Sequence, residues 1–358
     1  MDTDTLIEPR TKKKVKVNHF LALRKEVDKY FKENKISENG NAKFLASAIV
    51  IVVGYLTCYL SILFAPIPLI FKIPLCIVMG VFHALCNMNI LHDAVHMSAF
   101  SNKKWNKRFG LFFNLFGAST NNWRVQHNVI HHKHTNVAGV DRDIDSGGLL
   151  RMSPLQERKP FHRFQHLYTW LLFSMLHLNW VTFKDFRQHK EFSEQGHIKK
   201  KDQKKEFRII LFSKIFYWAY AVVTPILVMD IAIWQVLTGF VIYQATIGLY
   251  LATVFQLAHV VEDTDYPEEL LNDWMVHQLV TTSDFNPRNK IVAWFTGGLN
   301  NQVIHHLFPH ISRVHYANIS SIMIDFLEKN NLPYNYKPTF VGALASHYRQ
   351  MRHLGTND

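Results

Sequence analysis

Four long apolar segments alternate with strongly charged segments in this 358-residue sequence, and this alternation constrains the possible folds most. A helix needs roughly 20 apolar residues to cross a bilayer. Four segments approach or exceed that length, and each must satisfy its own backbone polar groups in lipid, which favours helices. The sequence therefore predicts an all-α integral membrane protein with four transmembrane helices in two hairpins, at residues 44–64, 73–91, 209–229 and 231–258.

The basic residues predict how these helices are oriented. The formal net charge is +12, and all Lys and Arg residues except Lys72 and Lys214 lie in residues 1–43, 92–208 and 259–358. Since basic segments stay on the cytosolic side of a membrane, we expect both termini and residues 92–208 to be cytosolic. A nucleic-acid-binding protein can be equally basic, but its charges would not avoid the apolar runs, so we expect no nucleic-acid partner.

The same alternation suggests three parts of the chain. Residues 1–43 form a basic cytosolic arm with a short helix near 19–35, and residues 331–358 form a cytosolic tail. Residues 44–330 form one domain, in which residues 92–208 and 259–330 make a helical cytosolic cap; amphipathic helices are expected near 315–330 and 339–352. Three cysteines, Cys58, Cys76 and Cys86, lie in apolar runs without a Cys-x-x-Cys pair, which favours packing over disulfides or a thiolate zinc site.

Histidines occur in four arrangements typical of metal ligands. His92 and His96, in LHDAVH, lie four residues apart where the second span ends, so a helix places both imidazoles on one face. The other three arrangements are His127, His131 and His132 in WRVQHNVIHHKHTN, His259 at the end of the fourth span, and His305 and His306 with Gln302 in NNQVIHHLFPH.

These positions predict one cluster of imidazoles. His92 and His259 end their spans at similar depth, and the other two groups lie in polar segments attached at the same face. Eight imidazoles can therefore converge on the cap and hold two metals, although each group alone could be structural. Imidazole binds iron, zinc, copper and nickel. A site beside lipid favours a lipid substrate and the oxidation of an unactivated C–H bond, which requires an iron or copper centre that activates dioxygen.

The three motifs HDAVH, HNVIHH and QVIHH resemble the histidine boxes of the membrane fatty acid desaturases, over roughly residues 40–330. The third box with LFPHISRVHY resembles the front-end (Δ5/Δ6-type) acyl desaturases and bacterial linoleoyl-CoA desaturase-like proteins, and HHKHTNVAGVDRDID resembles the bacterial group. This resemblance implies acyl desaturation by two iron ions (Fe2+/Fe3+) with O2 as co-substrate and no catalytic residue beyond the metal centre. The implied iron ligands are His92, His96, His127, His131, His132, His259, His305 and His306.

The sequence departs from the family pattern at two places in the boxes. The second box has three residues between His127 and His131, where many desaturases have two. Gln302 replaces a histidine found in many relatives, so it is expected to bind iron weakly, to act through water or only to form hydrogen bonds. Asp93, Asn128 and Trp123 are expected to contact the ligands, Asp93 by accepting an imidazole N–H. Three acidic residues that follow the second box are expected either to contact the ligands, to bind the headgroup of the substrate or to lie in a solvated loop: Asp141, Asp143 and Asp145.

The remaining histidines are expected in other roles, according to their positions in the sequence. His83 is expected on the opposite helix face from His92, in a packing role. His134, His277, His310 and His315 lie near the motifs and either contact the ligands or lie apart. The sequence predicts surface positions for His19, His162, His166, His189, His197, His347 and His353.

Several partners and alternatives follow. The sequence has no His-Pro-Gly-Gly haem motif, so the resemblance implies a separate electron donor such as cytochrome b5 or a ferredoxin. The basic group Lys103, Lys104, Lys107 and Arg108 either docks that acidic carrier or contacts anionic lipid.

The substrate is an acyl-CoA or an acyl-lipid, in a bacterial inner membrane or the endoplasmic reticulum. A hydroxylase or ketolase of the same superfamily would have the same metal site; a membrane zinc-binding protein is a third possibility.

Overall fold

The computed structural model describes residues 18–357, so the first part of the predicted basic arm lies outside the described residues. The described chain is helical nearly throughout. Its α-helices, in chain order, are α1 (His19–Asn34), α2 (Ala42–Phe64), α3 (Leu69–Val95), α4 (Lys103–Gly110), α5 (Thr120–Trp123), α6 (Gln165–Asn179), α7 (Asp185–Glu194), α8 (Lys200–Val228), α9 (Ile233–His259), α10 (Trp274–Thr281), α11 (Lys290–Phe295), α12 (Gln302–Leu307), α13 (Tyr316–Lys329) and α14 (Phe340–Thr356).

Shorter elements interrupt or connect these helices. π-Helical segments occur within α3 at Asn87–Leu91, after α5 at Arg124–His131, after α6 at Trp180–Lys184 and within α8 at Ala219–Val223. 3-10 helices occur at Leu111–Asn114, Arg142–Ile144, Pro160–Phe164 and Arg313–His315. Two short strands, β1 (Asp284–Phe285) and β2 (Tyr336–Lys337), pair in parallel.

Four helices, α2, α3, α8 and α9, are long and apolar enough to cross a membrane. They coincide with the four predicted spans, but two of them begin earlier than the apolar runs suggested. Helix α3 begins at Leu69 and helix α8 begins at Lys200, ahead of the predicted residues 73 and 209. Hydropathy marks only the part of a helix that is apolar, whereas charged residues such as Lys200 and Lys201 continue the same helix into the polar region.

Helix α2 illustrates how these spans pack. Its N-cap Asn41 accepts hydrogen bonds from the backbone N–H groups of Lys43 and Phe44, which satisfies two donors at the helix start. Its buried residues recur every three or four positions, as on one face of a helix, and the remaining apolar residues are exposed where lipid would lie. The buried residues include Phe44, Ser47, Ile51, Tyr55, Cys58 and Ile62.

Helix α9 is the centre of the helical packing and contacts both α3 and α6. A close approach to α6 occurs at Gly248, where an added Cβ would lie 2.6 Å from the carbonyl oxygen of Phe173 and 2.7 Å from that of Ser174. Glycine therefore allows the backbone of α6 to lie directly against α9. Helix α6 is 15 residues long and continues through the π-helical segment Trp180–Lys184 into α7.

One buried lysine lies within a candidate span. Lys214 of α8 donates hydrogen bonds to the carbonyl oxygens of Gly117 and Trp180 and to the carboxylate of Asp185. Asp185 also accepts hydrogen bonds from the backbone N–H of Ser119 at 2.8 Å and from the indole of Trp180 at 3.1 Å. The charge on Lys214 is therefore compensated, and the contact connects α8 to the segments before α5 and after α6.

The polar parts of the chain form a second core beyond the spans. Helix α1 packs with its buried residues Leu23, Val27 and Phe31 against α12 and α13, whose buried residues include Ile304 and Ile319. The predicted helices near 19–35, 315–330 and 339–352 are confirmed as α1, α13 and α14, with small shifts at their ends. The short helix α12, which contains His305 and His306, is thus enclosed by apolar residues.

Candidate metal centre

The first two histidines lie at the end of α3. His92 follows the π-helical segment Asn87–Leu91, and His96 closes the helix by donating its backbone N–H to the carbonyl oxygen of His92 at 3.1 Å. Their imidazole rings lie 4.7 Å apart between centroids, and both side chains are buried. The predicted spacing of four residues therefore places both rings together.

The second group lies on a π-helix rather than an α-helix. The backbone N–H of His132 donates to the carbonyl oxygen of His127 at 3.1 Å, a contact between residues five apart. This widened turn brings His132 back over His127, and their Nε2 atoms lie 3.3 Å apart. The π-helix therefore accommodates the three residues that separate His127 from His131 in the second box.

The remaining imidazoles come from the end of α9 and from α12. His259 is the last residue of α9, and His305 and His306 lie in the last turn of α12. All three side chains are at most 2 % exposed. Helices distant in sequence therefore direct these rings to the same place as the first two groups.

The eight predicted imidazoles form two adjoining sets. In one set, potential ligand atoms of His92, His96, His127 and His305 all lie within 4.8 Å of one another. In the other, those of His131, His259 and His306 satisfy the same limit. His132 lies between the sets, with its ring centroid 4.7 Å from that of His305 and 4.6 Å from that of His306. Each set could hold a metal ion.

The contacts between nitrogen atoms are shortest around His127. Its Nε2 lies 3.0 Å from Nε2 of His92 and 3.4 Å from Nε2 of His305. Gln302 makes a similar approach in the second set, because its side-chain amide lies 3.3 Å from Nε2 of His259 and 3.4 Å from Nε2 of His306. Gln302 is therefore placed with the second set, where its amide oxygen has no hydrogen-bond partner among the described residues.

Several ring nitrogens fit a metal. Nε2 of His96 and Nε2 of His131 are buried without a hydrogen-bond partner among residues 18–357. Unpaired buried nitrogen atoms are costly unless a ligand satisfies them. Burial, and after it the neighbouring imidazoles, lowers the pKa of five rings well below the usual value, which favours the neutral form that binds metals. These five are His96, His127, His132, His305 and His306.

His131 differs from these rings. Burial alone would lower its pKa, but the carboxylates of Asp141 and Asp143 raise the pKa of His131 to about 9. Its Nδ1–H donates to Asp141 at 3.0 Å, and Asp143 lies 3.5 Å away. Carboxylates that stabilise a positive imidazolium also stabilise an imidazole bound to a metal cation, so this site fits a cation at the opposite nitrogen.

Other rings are oriented by residues that the sequence did not indicate. Nδ1 of His306 lies 2.7 Å from the side-chain oxygen of Gln278 and 3.2 Å from the hydroxyl of Thr135. Nδ1 of His305 lies 3.1 Å from the hydroxyl of Tyr316. The sequence did not indicate the roles of Gln278, Thr135 and Tyr316, because they lie outside the histidine motifs or are not metal ligands. Asp141 was among the three acidic candidates and does orient the ring of His131.

The other predicted contacts have mixed outcomes. Trp123 stacks on His127, with ring centroids 4.7 Å apart and planes 14° apart. Asn128 donates instead to the carbonyl oxygen of Val95 at 3.3 Å. Among residues 18–357, no imidazole donates a hydrogen bond to Asp93, contrary to the expectation. Its carboxylate instead accepts hydrogen bonds from the hydroxyl of Ser312 at 2.8 Å and from the backbone N–H of Arg313 at 3.3 Å. It therefore connects the first box to the segment that follows the third.

The histidines outside the boxes were predicted with less success. His277 contacts the carbonyl oxygen of Thr135 at 3.0 Å, whereas His310 is partly exposed. His83 is fully buried in a packed position, as predicted. The prediction of surface positions is wrong for His162, His189 and His347, which are buried; for example, Nδ1 of His347 lies 2.7 Å from the carbonyl oxygen of Val260.

The chain is similar to known proteins over most of its length. A family model described as fatty acid desaturase matches residues 68–338. The chain is 32% identical over 339 residues to the sn-1 linoleoyl-lipid 6-desaturase of Synechocystis sp., which covers 93% of this chain and 94% of the relative. It is 33% identical over 363 residues to the protein of the same description from Arthrospira platensis, covering 97% and 96%. It is also 32% identical over 352 residues to an acyl-lipid (8-3)-desaturase of Physcomitrium patens, covering 95% and 72%.

Proposed function

The chain belongs to the fatty acid desaturase family, and from this premise we propose that it inserts a double bond into the acyl chain of a membrane lipid at a centre of two iron ions. It is an oxidoreductase and an integral membrane protein, and its family uses a metal and O2. The observation that carries the proposal is the convergence of eight buried imidazoles from four distant segments of chain. Among them, Nε2 of His96 and Nε2 of His131 have no hydrogen-bond partner in the part of the chain that the structure describes.

The two sets of imidazoles suggest how the irons are held. His92, His96, His127 and His305 would hold one iron, and His131, His259 and His306 would hold the other, with His132 beside both and Gln302 as a weak additional ligand. Bound iron supplies the activation of O2; overall, a –CH2–CH2– unit, O2, two electrons and two protons give –CH=CH– and two waters.

The protein's own contribution is to position the chain and to exclude water. An alkyl chain has no polar group at the reacting carbons, so the shape of an apolar channel must determine which carbons react. Trp123 and Phe255 are close to the metal centre, with ring centroids 4.7 Å and 6.2 Å from that of His127. These two aromatic rings are suitable walls for such a channel. The relatives named above act on acyl-lipids, and we infer an acyl-lipid substrate here.

We also infer the architecture around the membrane. Helices α2 and α3 form one hairpin, α8 and α9 form the other, and the metal centre lies in a helical cap on the cytosolic side, together with both termini. The distribution of basic residues supports this orientation. A separate protein supplies the electrons, and the exposed basic residues of α4 are suited to an acidic donor such as cytochrome b5 or a ferredoxin.

The proposal is tested by expressing the protein in a host that lacks the activity and analysing the lipids by mass spectrometry. We expect products that have lost two hydrogens, and we expect their loss in His132→Ala but not in the control His353→Ala, whose side chain is exposed. Products that gain an oxygen atom would instead identify a hydroxylase. Purified protein with about two zinc ions and no O2-dependent activity would support a zinc-binding role.

A further inference from the structure

A large cavity, the mouth cavity, lies beside the metal centre. It has a volume of about 660 Å3, and its walls come mainly from α6, α7, residues 251–256 of α9 and the loop 142–152. One wall contains Trp123, whose ring stacks on that of His127 with 4.7 Å between the centroids. Four of its residues also line a small pocket whose wall contains His92; they are Trp123, Trp180, Leu251 and Phe255. The mouth cavity therefore borders the predicted metal ligands.

The outer border of the mouth cavity is apolar and exposed. Met175 of α6 and Leu149 of the loop line the cavity, yet their side chains are 52 % and 54 % exposed. Leu167, Leu171 and Met175 follow one another at intervals of four residues and are all exposed, so they form an apolar stripe on one face of α6. In a membrane protein, such a stripe is typical of a surface that contacts lipid. The mouth cavity therefore opens beside a lipid-facing surface.

Two cationic side chains line the same cavity. Lys184 ends the π-helical segment after α6, and Arg187 follows three residues later in α7. The ammonium of Lys184 lies 4.2 Å from the ring centroid of Trp180, and the guanidinium of Arg187 donates to the side-chain oxygen of Asn179 at 3.0 Å. Neither cation forms an ion pair with a carboxylate among residues 18–357. Both positive charges can therefore bind an anion in the cavity.

The other charged side chains of the lining already have partners. Arg142 donates to the carboxylate of Asp145 at 3.0 Å and is also paired with Glu191. A carboxylate oxygen of Asp143 lies 3.5 Å from Nδ1 of His131. The charge that is left without a partner in the cavity is therefore positive. A negatively charged group that accepts hydrogen bonds is the complementary ligand.

Resting on the proposed function, we propose that the mouth cavity binds the headgroup of a phospholipid substrate, with Lys184 and Arg187 holding its phosphate. Hydrogen bonds from a cationic side chain to phosphate are roughly twice as strong as those between neutral groups. The planar guanidinium matches two phosphate oxygens, and the ammonium adds a compact charge. From a headgroup in this position, the ester-linked acyl chain extends past Trp123 towards the metal centre.

The surroundings of the cavity favour a phospholipid over a water-soluble phosphate compound such as an acyl-CoA. Both ligands contain phosphate, so Lys184 and Arg187 alone do not distinguish between them. The exposed border at Leu149 and Met175 places the entrance against lipid, where the acyl chains of a phospholipid already lie out of water. The volume of about 660 Å3 is within the usual range for small-molecule sites, about 300–1,000 Å3. We therefore expect the protein to select among membrane lipids by their headgroup.

The test measures lipid binding directly and needs neither O2 nor an electron donor. Purified protein in a non-ionic detergent is titrated with three radiolabelled probes that carry the same acyl group: dilinoleoyl phosphatidylglycerol, dilinoleoylglycerol and linoleoyl-CoA. We expect phosphatidylglycerol to bind about tenfold or more tightly than the other two, since hydrogen bonds to charged groups contribute about that factor. Lys184→Gln combined with Arg187→Gln should remove this preference and leave the binding of dilinoleoylglycerol unchanged.

Two further variants serve as controls. Lys184→Arg keeps the charge and should retain the preference for phosphatidylglycerol. Lys190→Gln should retain it too, because Lys190 lies on α7 outside the cavity lining, where it is exposed and 4.0 Å from Glu194.

Three results would overturn the inference: equal binding of phosphatidylglycerol and dilinoleoylglycerol, tighter binding of linoleoyl-CoA, or a preference that persists in the double variant. If the double variant does not fold, Arg187→Gln decides alone, since the side chain of Arg187 is exposed. Binding as expected, without new double bonds in the expression host, would contradict the proposed function and leave the headgroup site standing.

Discussion

At the scale of single residues, Asp141 has a particular position in the site. Its carboxylate accepts the Nδ1–H of His131 and also accepts the backbone N–H groups of Asn136 and Asp143, at 2.9 Å each. The carboxylate therefore fixes both the ring of His131 and the turn that follows the second box. Residues that orient a metal-bound imidazole in this way contribute substantially to metal affinity.

We predict that Asp141→Asn lowers metal affinity about 10- to 100-fold, because the amide retains a hydrogen bond but loses the negative charge. Metal content after dialysis against a graded series of chelator concentrations measures this effect. The matched control is Asp145→Asn, since Asp145 lies in the same loop but is exposed and paired with Arg142. Equal metal retention in both variants would show that Asp141 does not act on the centre.

The histidines of the site could be predicted from the sequence, but the residues that orient them could not. The spacing of the histidines was sufficient to predict which imidazoles converge, because helical geometry is local. Gln278 and Tyr316 reach His306 and His305 only through the packing of α10 and α13, which no local pattern encodes. The same reason explains why His162 and His347 were wrongly predicted at the surface: a buried histidine needs one acceptor, and that acceptor is distant in sequence.

At the scale of helices, the contact between α6 and α9 depends on a single missing side chain. We predict that Gly248→Ala destabilises the protein by about 1–3 kcal/mol, because its Cβ would lie 2.6 Å from the carbonyl oxygen of Phe173 and force the helices apart. Thermal unfolding in detergent checks this prediction. Gly239→Ala on the same helix is the control, since its Cβ meets only a sulfur atom at 3.4 Å. Similar unfolding temperatures for the two variants would contradict the close contact.

Helix α4 connects a basic surface to the first histidine box. Asn106 donates to the carbonyl oxygen of Met97 at 3.2 Å, while Lys103 and Lys104 are exposed. If an acidic electron donor docks here, Lys103→Glu combined with Lys104→Glu should raise the KM for the donor several-fold with kcat little changed, and more so at low salt. Steady-state assays with purified donor test this. The control is Lys329→Glu, at the exposed end of α13, and an unchanged KM would favour contact with anionic lipid instead.

At the scale of the whole molecule, the proposed orientation places the connection near Asp230 outside the cytosol and the loop near Asp145 inside it. The native cysteines are buried, so they provide a low background for thiol labelling. We predict that Asp230→Cys reacts with a membrane-impermeant reagent in intact cells, whereas Asp145→Cys reacts only after the membrane is opened. Labelling of Asp145→Cys but not of Asp230→Cys in intact cells would place the histidine cluster on the other side of the membrane.

The sequence predicted the number and the placement of the four spans better than the residues at which the helices begin. The four spans follow from the cost of placing a polar backbone in lipid, which leaves few alternatives for a long apolar run. The beginning of α8 was predicted too late, because the charged residues at 200–208 continue a helix without contributing to hydropathy. The beginning of α3 was predicted too late, because Lys72 separates Leu69, Ile70 and Phe71 from the rest of the apolar run. The π-helices at Asn87–Leu91 and Arg124–His131 depend on tertiary contacts and have no periodic pattern of their own.

The pairing of Lys214 with Asp185 has a consequence for how the protein is made. A lysine at the centre of a membrane helix raises the cost of insertion by about 2.5–3.5 kcal/mol. Lys214 lies near the charged end of the apolar part of α8, where the cost is smaller but a partner still lowers it. Asp185 precedes Lys214 in the chain, so the ribosome has already delivered the acid when the third membrane segment emerges. The order of synthesis thus allows Lys214 to pair with Asp185 while the third membrane segment is being inserted.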